Sequence, residues 1–135
     1  MKLFIDTSAL AGLFQREDAH HSRAVEFMSQ ARGSSLHTSN LIFSETATLL
    51  AARHGQDSSI RFCEDFLASR RLVVHYADEA LERAALAVLK TYRDKRLSFV
   101  DASTIAIVKS EGLDGVFGFD EDFARCGLML YPRFE

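Results

Sequence analysis

Only one proline, Pro132, interrupts the 135 residues, and there is no Ser/Gly-rich linker, internal repeat or low-complexity tract. The chain therefore reads as a single domain over residues 1–135. Cysteine is scarce: Cys63 and Cys126 lack CxxC spacing, and one possible pair is too few for a secreted disulfide framework. Cys63 falls in line with Ile60 and Leu67 on a helical pattern, so both thiols read as small buried hydrophobes in a reducing compartment. No apolar run approaches the ~20 residues of a membrane span, and Met1-Lys2-Leu3-Phe4-Ile5-Asp6 turns acidic too soon for a signal peptide. A cytoplasmic protein with no membrane association is expected. A basic surplus is missing as well. With a net charge of −3, a nucleic-acid substrate would need a local basic patch and a reason for acid elsewhere.

What is present suits a globular α/β chain: 47% hydrophobic and 26% charged residues, long enough to bury roughly two thirds of its unfolded surface without staples. Leu3-Phe4-Ile5 reads as a buried strand closed by Asp6. Thr7-Ser8 can cap a helix through Phe14, and Asp18 a second to about Ala31. Ser35 to Thr38 is a weak strand, and Ser39 or Asn40 opens a strong helix to His54, ended by Gly55. A helix over about 57–69 precedes the strand Leu72-Val73-Val74-His75. Asp78 caps a helix to about Arg93, and Ser98 one to about Ser110, stopped by Gly112. Val116-Phe117 and Leu128-Met129-Leu130 are the last strands, with a helical turn near Phe123. Short apolar strands alternating with helices predict an α/β three-layer sandwich, a short-stranded parallel sheet covered by helices.

Four acids stand out. Asp6 follows one strand and Asp120 closely follows another, so both are expected at the carboxyl edge of the sheet, where open α/β folds bind ligands. Either could equally be a turn or N-cap aspartate. Glu45 lies in the same arc of its helix as Leu41, Ile42, Leu49 and Ala52, and the other sides carry Phe43, Ala47 and Leu50. A carboxylate there must snorkel to water, be paired, be protonated or bind a cation. Asp101 is the only ionisable residue between Arg96 and Lys109. Ser98-Phe99-Val100-Asp101 also fits a capping box, and both readings can hold together. Four carboxylates at one rim would repel unless a hard cation neutralised them. All-oxygen ligation suits Mg2+ or Mn2+, whereas zinc would normally bring His or Cys.

Phe4-Ile5-Asp6-Thr7-Ser8, Glu45 in its helix, Leu97-Ser98-Phe99-Val100-Asp101-Ala102 and Phe119-Asp120-Glu121-Asp122-Phe123 resemble the PIN-domain family, and within it the VapC-like toxins of bacterial toxin–antitoxin pairs. The order and spacing of the motifs match over essentially the whole chain. The resemblance implies a Mg2+- or Mn2+-dependent endoribonuclease with Asp6, Glu45 and Asp101 as catalytic and metal-binding acids, and Asp120 as a less constant fourth. Thr7 and Ser98 would support the site, and Asp122 is placed to share the role of Asp120. A homodimer and a cognate antitoxin, whose C-terminal segment reaches the acids, are implied as partners beside the RNA substrate. The chain departs from the pattern at Gly118, where members often carry Thr or Ser two residues before the fourth acid.

Arg93, Lys95 and Arg96, with Lys90 and Tyr92, could contact RNA phosphates while Tyr92 stacks a base. They read more readily as cations favoured at a helix C-terminus by its dipole; Arg70-Arg71 is a weaker case. His20-His21 are adjacent and cannot face one metal from a helix. Gly112, Gly115 and Gly118 have the wrong order and spacing for a dinucleotide loop. Two other functions compete. An aspartyl-phosphate phosphatase or phospho-acceptor would use Asp6 as nucleophile, but a haloacid-dehalogenase-type enzyme wants a second Asp where Ser8 stands. A non-catalytic RNA- or protein-binding module would not need Asp6, Glu45 and Asp101 intact.

Overall fold

The computed structural model of the chain describes residues 1–133. Five parallel strands form one sheet: β1 (Lys2–Ile5), β2 (Ser35–Ser39), β3 (Leu72–His75), β4 (Gly115–Phe117) and β5 (Leu130–Tyr131), in the order β3-β2-β1-β4-β5. Helices α1 (Thr7–Phe14), α2 (His21–Gln30), α3 (Asn40–His54) and α4 (Gln56–Ala68) make the crossovers from β1 to β3. Helices α5 (Glu79–Thr91) and α6 (Phe99–Ser110) lead back to β4, and the short α7 (Asp122–Arg125) joins β4 to β5. α1 packs on α2 and α3, α3 on α4, and α5 on α6. The sheet is flanked by helices, the expected three-layer architecture.

The topology decides where a site can form. From β1 the chain steps outward through β2 to β3, then returns to the opposite side of β1 and steps outward again from β4 to β5. The direction reverses between β1 and β4. Their carboxyl ends diverge into different connections, which leaves a crevice at that point. β1 and β4 are neighbours in register, Ile5 opposite Phe117, and the ladder ends as the Asp6 amide donates to the Phe117 carbonyl at 2.9 Å.

These two strands have unbroken apolar sequences because both their faces are covered. Leu3, Phe4, Ile5, Val116 and Phe117 are all buried, as is Phe123 of α7. Burying one such side chain contributes roughly 1.5–3 kcal/mol. β2 carries a weaker signal because its polar groups are satisfied locally. The buried Thr38 hydroxyl donates to the Ile5 carbonyl at 3.2 Å, and buried Ser39 caps α3 by accepting from the Ile42 amide at 3.2 Å.

Several local expectations need correction. α2 begins at His21, not at Asp18, because Asp18 spends its carboxylate on the loop, accepting from the His20 amide at 2.8 Å. The last strand is Leu130–Tyr131 rather than 128–130; Leu128 is instead buried, its amide donating to the Phe123 carbonyl at 3.1 Å to close the α7 turn. α4 buries Phe62 and Phe66, not the Ile60–Leu67 stripe, both of which are exposed. The two rings pack against Phe14 and Phe43, and aromatic area outweighs the aliphatic stripe. Cys63 is accordingly half-buried, while Cys126 is buried.

Candidate active site

The expected acids meet at the crevice beyond β1 and β4. Asp6 is the N-cap residue of α1 in extended conformation, only 5% exposed. Thr7 and Ser8 do not cap the helix. As first-turn residues their side chains lean back toward the helix start, and both hydroxyls are taken by the site. Thr7 Oγ1 donates to Glu45 Oε1 at 2.6 Å, which aims the α3 carboxylate toward the end of β1. Ser8 Oγ donates to Asp6 Oδ2 at 3.3 Å and accepts from the Phe119 amide at 2.9 Å, tying α1 to the segment that carries Asp120.

Asp101 satisfies both readings of its position. It closes a complete capping box, donating its amide to Ser98 Oγ at 3.0 Å and accepting from the Ser98 amide at 3.2 Å. It also senses the other acids. Asp101 is raised above the usual aspartate range, first by burial and then, against the opposing Ser98 hydrogen bonds, by the charges of Asp120 and Glu45. Asp6 is pushed from 3.8 to about 7 by burial, opposed by the Thr7 amide and reinforced by Asp101, Glu45 and Asp120. Four carboxylates from four segments thus act on one another at the carboxyl end of the sheet.

The donor set is all oxygen, as a hard divalent cation requires. Among the described residues no three of these side chains yet stand close enough around one point to hold an ion. Their present partners account for that: Thr7 holds Glu45, Ser98 holds Asp101, and the Asp122 amide donates to Asp120 Oδ1 at 2.9 Å. Asp122 itself turns its carboxylate to Arg125 at 2.7 Å, so it reaches the cluster through its backbone.

The cations near α5 are engaged elsewhere. Arg93 donates to the Lys90 carbonyl at 3.4 Å and Lys95 pairs with Asp94 at 3.1 Å. Tyr92 donates to the Cys126 carbonyl, and its ring carries Lys109 at 5.2 Å. These contacts fit the helix-terminus reading; Arg96 is exposed two residues before Ser98. Sequence reasoning missed Ser8, although a hydroxyl two residues after a strand-end aspartate was a usable signal. It also explains Gly118. A Cβ there would lie 3.0 Å from Asp6 Cβ and 3.5 Å from Ser8 Oγ, so the space and the hydroxyl at this point belong to Ser8.

Residues 3–127 match the family model for the PIN domain. The chain belongs to the PIN-domain family. The 23S rRNA-specific endonuclease VapC20 of Mycobacterium tuberculosis is 31% identical over 127 residues, 94% of this chain and 95% of that protein. The VapC ribonuclease of Archaeoglobus fulgidus is 30% identical over 128 residues, 92% of this chain and 80% of the relative. The crystal structure of the M. tuberculosis VapC20, a sarcin–ricin-loop-cleaving toxin, superposes with a TM-score of 0.85 at 29% identity, covering 94% of this chain and 96% of that one. VapBC2 from Rickettsia felis shares the fold, with a TM-score of 0.69 at 12% identity over 96% of this PIN domain and 97% of the other chain. PIN-domain VapC nucleases are generally divalent-metal dependent.

Two predictions follow from the geometry. An acid whose folded pKa is raised makes the folded state hold its proton longer, so stability falls as pH rises from 3.8 to about 7. Above that range the full penalty, roughly 4 kcal/mol, is present. In EDTA, Asp6→Asn should therefore melt above the wild type at pH 8, and the gap should narrow at pH 5; equal gaps at both values would refute the burial of charge at Asp6. Ser8→Ala strands the Phe119 amide and should cost about 1–3 kcal/mol, while Gly118→Ser crowds Asp6 and should cost a similar amount. Because the new hydroxyl can replace the old one, the double variant should lose less than the sum of the singles. Additive losses in denaturant melts would show that the two positions are not exchangeable.

Proposed function

We propose that this PIN-domain protein is a divalent-metal-dependent endoribonuclease, the toxin of a toxin–antitoxin pair, acting on structured RNA in the cytoplasm. The observation that carries the reading is Asp6, a buried carboxyl raised to about 7 and surrounded by the charges of Asp101, Glu45 and Asp120. A protein gains nothing structural from that arrangement, since burial and the neighbouring like charges both disfavour the ionised carboxyl. Mg2+ or Mn2+ held by Asp6, Glu45, Asp101 and Asp120 offsets the repulsion, and when bound supplies Lewis acidity toward a phosphodiester and charge neutralisation for its transition state.

The chain's own residues then have separable tasks. Thr7 and Ser98 orient Glu45 and Asp101, and Ser8 holds Asp6 against the Asp120 segment. With its raised pKa, Asp6 is poised to exchange a proton near neutral pH when the site is not loaded. The 31% identity to a 23S rRNA-specific endonuclease supports ribosomal RNA as the substrate class. The kinship also supports a cognate antitoxin and a homodimer as partners. An inhibitory segment at this site should carry Arg or Lys, since a cation can pair with the carboxylates in place of the metal.

Purified protein incubated with total RNA should cut at few sites, mapped by 5′-end sequencing, with Mg2+ or Mn2+ and not with EDTA. Asp6→Asn should lower the rate by at least ~10²-fold, more than loss of a supporting group does. Cleavage that persists in chelator would sink the mechanism. Asp101→Asn separates cap from ligand. A cap alone would cost ~0.5–2 kcal/mol in EDTA with activity retained. A ligand's loss should relieve repulsion, offset the lost cap, and shrink the stabilisation that added Mg2+ confers; melts with and without Mg2+ distinguish the two.

A further inference from the structure

On the β3 side of the sheet, away from the crevice between β1 and β4, three side chains form a hydrogen-bonded relay that the acids do not use. Ser35 opens β2, and its Oγ lies 2.9 Å from His37 Nε2; His37 Nδ1 in turn lies 2.9 Å from His75 Nε2 on β3. The two imidazoles are centred 5.2 Å apart, with planes 17° from parallel. The attachment points follow the order that activates a serine in acyl transfer, with the hydroxyl on Nε2 and the orienting group on Nδ1. Strand geometry supplies the first contact, because residues two apart share a face. Register supplies the second: Ser39 stands opposite His75, which puts His75 on the face of His37, diagonally across the ladder.

This face is open where the opposite one is closed. Leu36 and Thr38, on the opposite face of β2, are buried, whereas Ser35 is exposed and Val73, in register with His37, is 47% exposed. Lys2 lies in register beside Ser35, and its charge reaches His37. His37 is held below the usual imidazole range, first by burial, then by His75 and Lys2, against the opposing charge of Glu111. At neutral pH it is unprotonated and able to accept a proton. Two proton arrangements satisfy the relay. In one, His37 Nε2 donates to the serine. In the other, Ser35 donates to His37 Nε2 while His37 Nδ1 donates to His75, and this second arrangement primes the hydroxyl.

We propose that Ser35, His37 and His75 form a second reactive site, at which Ser35 accepts acyl groups from small activated esters. Ser35 Oγ attacks the ester carbonyl carbon as its proton passes to His37 Nε2. The bond from that carbon to the leaving oxygen breaks, and the alcohol or phenol departs with the proton that His37 returns. Water then adds to the acyl-serine, His37 again takes the proton, and the carboxylic acid leaves as Ser35 regains its hydrogen. His75 is a positioning residue: by accepting from Nδ1 it fixes the tautomer and orientation of His37. Lys2 supplies positive charge beside the serine for the oxyanion. The step uses no residue of the acidic cluster and goes beyond the ribonuclease reading.

The test incubates the full-length chain with p-nitrophenyl acetate in EDTA. Nitrophenolate release is followed by absorbance, and the acetyl group is located by peptide mass mapping. Acetylation should favour Ser35 over the exposed Ser69, whose hydroxyl accepts from the Arg71 amide instead. Its rate should rise with pH through the lowered titration of His37 and level off near neutrality. Ser35→Ala should remove the early burst of nitrophenolate, and His37→Ala should slow acetylation of Ser35 by ~10²–10⁴-fold, the usual contribution of a general base. His75→Ala should slow it less and move the pH midpoint. His75→Gln, whose amide oxygen accepts the same hydrogen bond, should recover most of the rate. Should His37→Ala fail to fold by circular dichroism, the exposed Ser35→Ala and the wild-type pH profile decide. Acetylation of Ser35 no faster than of Ser69 overturns the site, as does a burst that survives Ser35→Ala. A rate and midpoint unaltered in His75→Ala overturn the relay.

Discussion

Burying Asp6 at the end of β1 is costly, and much of the surrounding structure is arranged around that cost. A carboxyl so enclosed can stay charged only with strong donors or a cation beside it. The donors at hand are the Thr7 amide and the Ser8 hydroxyl, and they do not suffice, since Asp6 remains raised to about 7. Glu45, Asp101 and Asp120 worsen the balance from three other segments. Each of these is tethered in turn by a hydroxyl or an amide: Thr7, Ser98 and Asp122. On the proposed reading, a positive ion would lower the mutual repulsion of acids restrained in this way and draw them together.

The fold makes such convergence possible through one topological choice. Because the chain turns back from β3 to lay β4 beside β1, the ends of these strands lead into different layers, and α3 and α6 both bring their early turns toward the gap. Both Asp6 and Asp101 sit at helix starts, where partial positive charge favours a carboxylate. That dipole lessens the cost of the cluster without removing it.

Much of this was legible in the sequence wherever one physical signal dominated. β1 and β4 announced themselves as apolar runs because they are covered on both faces, and α3, α5 and α6 because Ser39, Asp78 and Ser98 cap them. Glu45 and Asp101 were legible as candidates because they interrupt apolar helices, and Asp6 and Asp120 because they follow strands. The signal failed where one residue type serves two ends. Asp18 resembles a helix cap, yet its carboxylate closes a turn before the helix. Thr7 and Ser8 look like caps, yet tertiary partners claim their hydroxyls. In α4 the choice between the Ile60–Leu67 stripe and Phe62–Phe66 depended on Phe14 and Phe43, which local periodicity does not contain. The stack of His20 on Phe119 joins residues far apart in the chain, and no spacing rule reports it.

Gly118 shows how a departure from a family pattern can leave the underlying physics intact. The site requires a hydroxyl that can donate to Asp6 and receive an amide from the segment leading to Asp120. A Ser or Thr at position 118 would approach Asp6 from β4. Here the same volume is left open by glycine, a Cβ at 118 coming within 3.0 Å of Asp6, and Ser8 reaches in from α1 instead. The hydroxyl comes from the first turn of α1, just after Asp6, instead of from the position just after β4, and it carries both the donor and the acceptor duty. Retaining both would crowd Asp6, and losing both would leave the Phe119 amide without a partner in a part-buried setting. The two positions are therefore coupled, and what the site constrains is the hydrogen bond rather than the residue that makes it.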